Sequence, residues 1–251
     1  MTGLAQRSRV LVAVDFDGTL APLQNDPSRS RSVPGGIEVL RAAAALPGVW
    51  VSLVSGRDLE TLVTLTGVTR DDRIVLIGSH GAQTSLAADL TESLLNAAQR
   101  ALLEVVTTRL ESIADHRAGA RVELKPTAAV LHTRGMEAQT AAEAAAEAET
   151  VGERHTGVHT MKGHDVVELS VVSTSKGDAI RHLRGSVRAE VVAYFGDDVT
   201  DERAFEVLDW INGDVGVKVG QGETVAGHRV DGPSEVVEAL ELFVGARAHK
   251  S

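Results

Sequence analysis

The 251-residue chain contains no cysteine. That excludes a disulfide framework, a thiolate metal site and cysteine nucleophilic catalysis, and it is compatible with a reducing compartment. Positive charge is in deficit: 25 Lys and Arg stand against 35 Asp and Glu, a formal net charge of −10, and there is no basic run or aromatic stripe. A nucleic-acid partner is therefore not expected. No apolar stretch approaches the roughly 20 residues needed to span a bilayer. Residues 1–9 carry too little apolar sequence for a signal peptide. The chain reads as soluble and cytoplasmic, with no membrane partner. Its length suits one large core, or a core plus a smaller domain.

What the sequence does have is a series of apolar strands that deliver acidic and hydroxyl side chains at their ends. Val-Leu-Val-Ala-Val at 10–14 runs into Asp15-Phe16-Asp17-Gly18-Thr19-Leu20. Five apolar residues in a row read as a strand buried on both faces. Side chains alternate along an extended chain, so Asp15 and Asp17 point one way and Phe16 turns back toward apolar packing. Two carboxylates at one sheet edge can then reach one substrate atom.

Further along, 21–33 has loop composition, and Pro34-Gly35 opens a helix with Leu40, Ala43, Ala44 and Leu46 on its apolar side. A second buried strand at 49–54 ends in Ser55-Gly56-Arg57-Asp58 before a helix at 59–65. Ligands of open α/β sheets bind off the carboxyl ends of the strands, so Ser55 and Asp15 face one crevice if their strands are neighbours. A third strand at 73–77 leads into Gly78-Ser79-His80-Gly81-Ala82-Gln83, a tight turn in which His80 is either a ligand contact or a hydrogen-bonded structural residue.

From about residue 86 the pattern changes. Helical spacing over 95–113, extended runs at 120–125 and 128–133, an Ala/Glu-rich helix at 136–150 and a hairpin of 155–161 with 165–171 form an αββαββ unit with a one-faced sheet. We place this inserted domain at 87–171 and the core at 1–86 and 172–251. The core resumes with Ser173-Thr174-Ser175-Lys176, a helix at 179–183 and a strand at 191–195. That strand ends in Gly196-Asp197-Asp198-Val199-Thr200-Asp201-Glu202, before a helix at 203–208. Asp201 and Glu202 suit a solvated helix start. Asp197 and Asp198 stand at the mouth of a strand, where converging carboxylates raise one another's pKa unless a cation relieves them. A strand at 215–219 and a helix at 233–244 complete the chain.

The order and settings of Asp15-x-Asp17-Gly18-Thr19-Leu20, Ser55, Lys176 and Asp197-Asp198 with Asp201 resemble the four motifs of the haloacid dehalogenase (HAD) superfamily, most of whose members are phosphatases. The resemblance implies a Rossmann-like α/β core with a mainly parallel sheet and an α+β cap. It implies Asp15 as the nucleophile that forms an aspartyl phosphate, and Asp17 as general acid and base. Thr19, Ser55, Gly56 and Lys176 would bind the phosphoryl group. Asp15, the main-chain carbonyl of Asp17, Asp197 and Asp198 would surround the metal, with Asp198 and Asp201 orienting ligands or water. A donor set with oxygen only selects a hard ion, and Mg²⁺ is expected.

Beyond these motifs the sequence resembles the trehalose-6-phosphate phosphatase family over nearly its full length. The likeness adds Ala21-Pro22, Arg57-Asp58, His80-Gly81 and, in the insert, Glu123-Leu124-Lys125, His132-Thr133-Arg134 and Glu168-Leu169. It implies that Arg57, His80, Glu123, Lys125, Arg134 and Glu168 contact a small-molecule sugar phosphate, and a monomer is expected. One departure is Gln83, where the family usually has an acidic residue two places after His-Gly. Phosphatases for sucrose phosphate, glucosyl-3-phosphoglycerate or a pseudo-disaccharide phosphate share the core motifs and stay open as alternatives. A phosphohexomutase or a silent sugar-phosphate sensor are further readings.

Overall fold

The computed structural model describes residues 2–24, 26–85, 95–125, 127–163, 165–172 and 175–249. It divides into two compact units, Met1–Leu86 with Thr174–Ser251, and Ala87–Ser173. The junction placed at 86/87, Pro126, His164 and the pair Ser173-Thr174 fall outside the described residues.

In chain order, the first unit opens with α1 (Thr2–Ala5), β1 (Val10–Asp15), α2 (Gly36–Ala44), β2 (Val49–Val54), α3 (Leu59–Thr66), β3 (Ile74–Gly78) and β4 (Gln83–Thr84). The second unit contains α4 (Ala97–Asp115), β5 (Arg121–Lys125), β6 (Ala128–His132), α5 (Ala138–Arg154), β7 (His159–Gly163) and β8 (Val166–Ser170). The first unit then resumes with α6 (Lys176–Val187), β9 (Val191–Gly196), α7 (Val199–Phe205), β10 (Val215–Val219), β11 (His228–Val230) and α8 (Pro233–Ala248).

The first unit is built on one sheet of order β11-β10-β9-β1-β2-β3-β4. All its pairings are parallel except β3 with β4. β1 sits at its centre, and the alternation of its side chains divides them between two cores. Val10, Val12 and Val14 pack with Ile37 and Leu40 of α2 and with Leu240 and Phe243 of α8. Leu11 and Ala13 pack with Ile180 and Leu183 of α6 and Phe205 of α7. A strand covered by helices on both faces has no polar side to show, which is why β1 and β9 read as unbroken apolar runs.

The second unit is a four-stranded antiparallel sheet of order β5-β6-β8-β7. One face packs Ala129, Leu131, Val167 and Leu169 against Val106 and Leu110 of α4 and Ala144 and Ala148 of α5. The unit runs past the boundary placed at 171. Val171 donates its N–H to the Thr127 carbonyl, and Val172 exchanges bonds with the Ser170 hydroxyl.

Several expected bounds change. α6 begins at Lys176 rather than 179, because Ser175 caps it by accepting from the Asp178 N–H. α7 begins at Val199 rather than 203, with Asp198 as its cap. α8 continues to Ala248 rather than 244. β4 and β11, two and three residues long, are additional strands that the sequence pattern does not mark.

Candidate active site

The registers bring the strand ends together. Asp15 is level with Val54 of β2, and Val14 with Phe195 of β9, so the residues that follow β1, β2 and β9 meet along one edge. There they line a cleft of about 570 Å³ that includes Asp15, Asp17, Ser55, Gly56, Arg57, His80, Lys176, Asp197 and Asp198. The loop after β1 is compact: Leu20 and Ala21 both return their N–H groups to the Phe16 carbonyl, and Gly18 bonds the carbonyl of Ala21. Gly18 has φ +82°, and a Cβ there would stand 2.0 Å from Oδ2 of Asp197. Glycine is needed twice over, for the backbone turn and for the approach of a carboxylate.

Asp15 is 3% exposed. Lys176 Nζ donates to its Oδ1 at 2.7 Å and to Oδ1 of Asp201 at 2.8 Å. Burial, then the charges of Asp201 and Asp197, hold the Asp15 carboxyl well above the usual carboxylate range despite Lys176. Asp197 is also raised, by burial first and then by Asp201. Burial works to lower Lys176, but Asp15 and Asp201 outweigh it and keep the ammonium charged.

Asp17 is held differently. Arg57 donates from Nε to Oδ2 at 2.5 Å and from Nη2 to Oδ1 at 2.7 Å, and the Ser30 hydroxyl donates to Oδ1 at 2.6 Å. Burial pushes this carboxyl up, but the hydrogen bonds from Arg57 and Ser30 prevail and hold it below its ordinary value. Arg57, expected at the substrate, is thus engaged with Asp17. Ser55 accepts from the Arg57 N–H, and the His80 N–H donates to the Ser55 carbonyl. The His80 ring lies against Gly56, where a Cβ would come within 2.6 Å of it.

Two readings of the acidic residues change. Asp201 is not solvated at a helix start: it is fully buried. Its Oδ1 accepts from Lys176 and from the Tyr194 hydroxyl at 2.6 Å, and its Oδ2 accepts the N–H groups of Asp197 and Asp198 at 3.0 Å. Asp198 is exposed, and its carboxylate caps Val199. Among the described residues, the carboxylates that come within 4.8 Å of one another are Asp15, Asp197 and Asp201, without Asp198. Thr19 is fully buried, and its hydroxyl donates to Asp197 at 3.2 Å.

These carboxylates fit a hard cation, because their donors are all oxygen and Asp15, Asp197 and Asp201 each bring an oxygen within 4.8 Å of the others. Asp201 is saturated by four donors, so Asp15 and Asp197 are the side chains with oxygens to spare.

Three residues escaped the sequence reading. Ser30 and Tyr194 carry no local signal, one in a loop and one in an apolar strand. Lys218 does, as the charged residue in Val-Gly-Val-Lys-Val of β10; it is buried and donates to the Asp197 carbonyl. Gln83 makes a structural contact, its Oε1 accepting from the Leu59 N–H at the start of α3 and from the Ser79 hydroxyl.

In the second unit, the sheet face opposite the helices carries Arg121, Glu123, Lys125, His132 and Glu168. Lys125 pairs with Glu168 at 2.7 Å, and Glu123 with His132 at 2.8 Å. Arg134 is exposed just beyond β6.

The fold is that of the HAD-like hydrolases: the chain superposes on a haloacid dehalogenase-like hydrolase from Bacteroides thetaiotaomicron with a TM-score of 0.64, over 93% of this chain and 99% of that one, at 15% identity. The trehalose-phosphatase family model matches residues 13–234. The chain belongs to the trehalose-phosphatase family. It is 32% identical over 243 residues to the trehalose-phosphate phosphatase of Mycobacterium tuberculosis, covering 90% of this chain and 59% of that protein. The chain thus spans a little over half the length of that relative. A crystal structure of a trehalose-6-phosphate phosphatase related protein matches with a TM-score of 0.64 and 26% identity, over 96% of this chain and all of that one.

Proposed function

We propose that the protein is a Mg²⁺-dependent phosphoric monoester hydrolase that converts trehalose 6-phosphate to trehalose and phosphate. One observation carries the chemistry: a buried carboxylate, Asp15, lies between Lys176 and Asp197 at the strand end where Asp17 also stands. Family membership carries the substrate.

Asp15 attacks phosphorus, and the bond to the sugar oxygen breaks with its electron pair leaving on that oxygen. Asp17 gives it a proton. Water then attacks the aspartyl phosphate, passes a proton to Asp17, and the bond to Asp15 breaks to return its carboxylate. Asp15, Asp197 and the Asp17 carbonyl would hold Mg²⁺, which would supply charge compensation and alignment for the anionic ester. Lys176, Ser55 and the main-chain N–H at Gly56 bind phosphoryl oxygens. Arg57 cannot stay on both Asp17 oxygens while Asp17 carries a proton, so in this reading it transfers to the phosphoryl group as substrate enters.

Sugar recognition is assigned to His80 and to Glu123, Lys125, Arg134 and Glu168, whose acceptors and donors suit hydroxyl groups. Lys125→Ala should raise KM for the sugar ester and leave that for p-nitrophenyl phosphate; equal changes would refute the assignment. A monomer in the cytoplasm belongs to the same proposal, and a dimer in light scattering would contradict it. Phosphate release should be measured over a panel of sugar phosphates with and without Mg²⁺. Trehalose 6-phosphate should be turned over fastest and Asp15→Asn should be inactive. Preference for another ester would reject the substrate, and parental rates in Asp15→Asn would reject the nucleophile.

A further inference from the structure

The loop 26–30 is shaped by local hydrogen bonds. The Asp26 carboxylate accepts from both the N–H and the hydroxyl of Ser28, Pro27 starts a single turn of 3₁₀ helix, and Ser30 closes it by donating its N–H to the Pro27 carbonyl. This turn carries the Ser30 side chain inward. Ser30 is fully buried, and its hydroxyl donates to Oδ1 of Asp17 at 2.6 Å. Nothing in the resemblance to known phosphatases assigned a role to this position.

The two Asp17 oxygens are not equivalent. Oδ1 accepts from the buried, neutral Ser30 hydroxyl as well as from Nη2 of Arg57, whereas among the described residues the one donor to Oδ2 is Nε of Arg57. Arg57 lines the cleft, and its guanidinium is the donor a phosphoryl group can draw away. Once that happens, Oδ1 still accepts from Ser30 and Oδ2 is bare. We propose that Ser30 is a positioning residue for catalysis: by holding Oδ1 of Asp17, it fixes Oδ2 as the oxygen that protonates the leaving sugar oxygen and later takes the proton of water. This rests on the reading of Asp17 as general acid and base.

The test uses the leaving group. An alkoxide such as the sugar oxygen needs a proton as its bond to phosphorus breaks, whereas the nitrophenolate of p-nitrophenyl phosphate hardly does. kcat/KM reports only the steps up to transfer onto Asp15, so it isolates the acid role. Ser30→Ala, in the intact chain with Mg²⁺, should lower kcat/KM for trehalose 6-phosphate by about 10- to 100-fold, the loss expected for a misplaced acid or for one hydrogen bond to a charged group. The fall for p-nitrophenyl phosphate should be less than about threefold, and in an Asp17→Asn background Ser30→Ala should add nothing further. An equal fall on both esters, no fall on either, or a full additional loss in the Asp17→Asn background overturns the proposal. If Asp17→Asn itself keeps the parental kcat/KM on trehalose 6-phosphate, the underlying assignment of Asp17 fails instead.

Discussion

Replacing Lys176 with methionine keeps most of the packing and removes the one charge that stands between two buried carboxylates. Lys176, Asp15 and Asp201 have side chains that are 3%, 5% and 0% exposed, so water cannot screen what the substitution leaves behind. Breaking a buried ion pair from one side costs about 3–5 kcal/mol. At roughly 2–4 °C per kcal/mol for a chain of this size, Lys176→Met should melt about 6–20 °C below the parent in Mg²⁺-free buffer near neutral pH. The deficit should depend on pH with a definite sign. Asp15 already titrates above the ordinary range, from burial and the charges of Asp201 and Asp197, and loss of Lys176 can only raise it further. The folded variant then binds more protons than its unfolded chain, so it gains stability relative to the parent as pH falls and Asp15 becomes neutral. Thermal melts of both proteins at about pH 8 and about pH 5 measure this, and the gap should be wider at the higher pH. A variant melting within about 1 °C of the parent at both values would refute the buried charge triangle as the organiser of the site.

Two further outcomes follow from the same geometry. Gly18→Ala puts a Cβ 2.0 Å from Oδ2 of Asp197 on a backbone with φ +82°, so Asp197 must move; Mg²⁺ affinity by calorimetry should weaken by about 10- to 100-fold, and an unchanged affinity refutes Asp197 as a ligand. Asp15 and Asp197 both titrate above their unfolded values, chiefly through burial. Their contribution to metal-free stability is therefore fully present below the unfolded carboxylate value and is lost as pH rises through the folded values. In the proposed site Mg²⁺ would bind the deprotonated pair, so the rise in melting temperature on adding it should grow over that interval, and a rise independent of pH contradicts the assignment.

What could be read in advance divides along physical lines. β1, β2 and β9 announce themselves because a strand covered on both faces must be apolar throughout, and the acidic or hydroxyl residue at each end is then conspicuous. β4 and β11 give no such signal, since two or three residues at a sheet edge bury little. Asp201 was misplaced for a definite reason. A carboxylate in the first turn of a helix is usually solvated, and only the fold reveals that Tyr194, seven residues earlier on β9, and Lys176, on another helix, both donate to it. Tyr194 in an apolar run looks like packing alone. Ser30 is more hidden still, because its partner, thirteen residues away, is reached through a loop whose path the composition does not specify.

The charges at the cleft also argue for the metal independently of family. Asp15, Asp17, Asp197 and Asp201 are answered there by Lys176 and Arg57. Lys218 adds little to that balance, since its ammonium is turned to the Asp197 carbonyl and faces Glu202 at 4.0 Å. With Asp198 at the same cleft, the acidic groups outnumber the basic ones, and a cation held by Asp15 and Asp197 would offset part of the difference. A phosphate monoester brings further negative charge of nearly two units at neutral pH. Without the cation the ester would meet a net anionic cleft. With it, the proposed mechanism has Arg57 change partners, from Asp17 to the incoming phosphoryl oxygens. In the proposed mechanism, substrate arrival and release of Asp17 for proton transfer would be a single exchange, with Ser30 keeping that carboxylate in register.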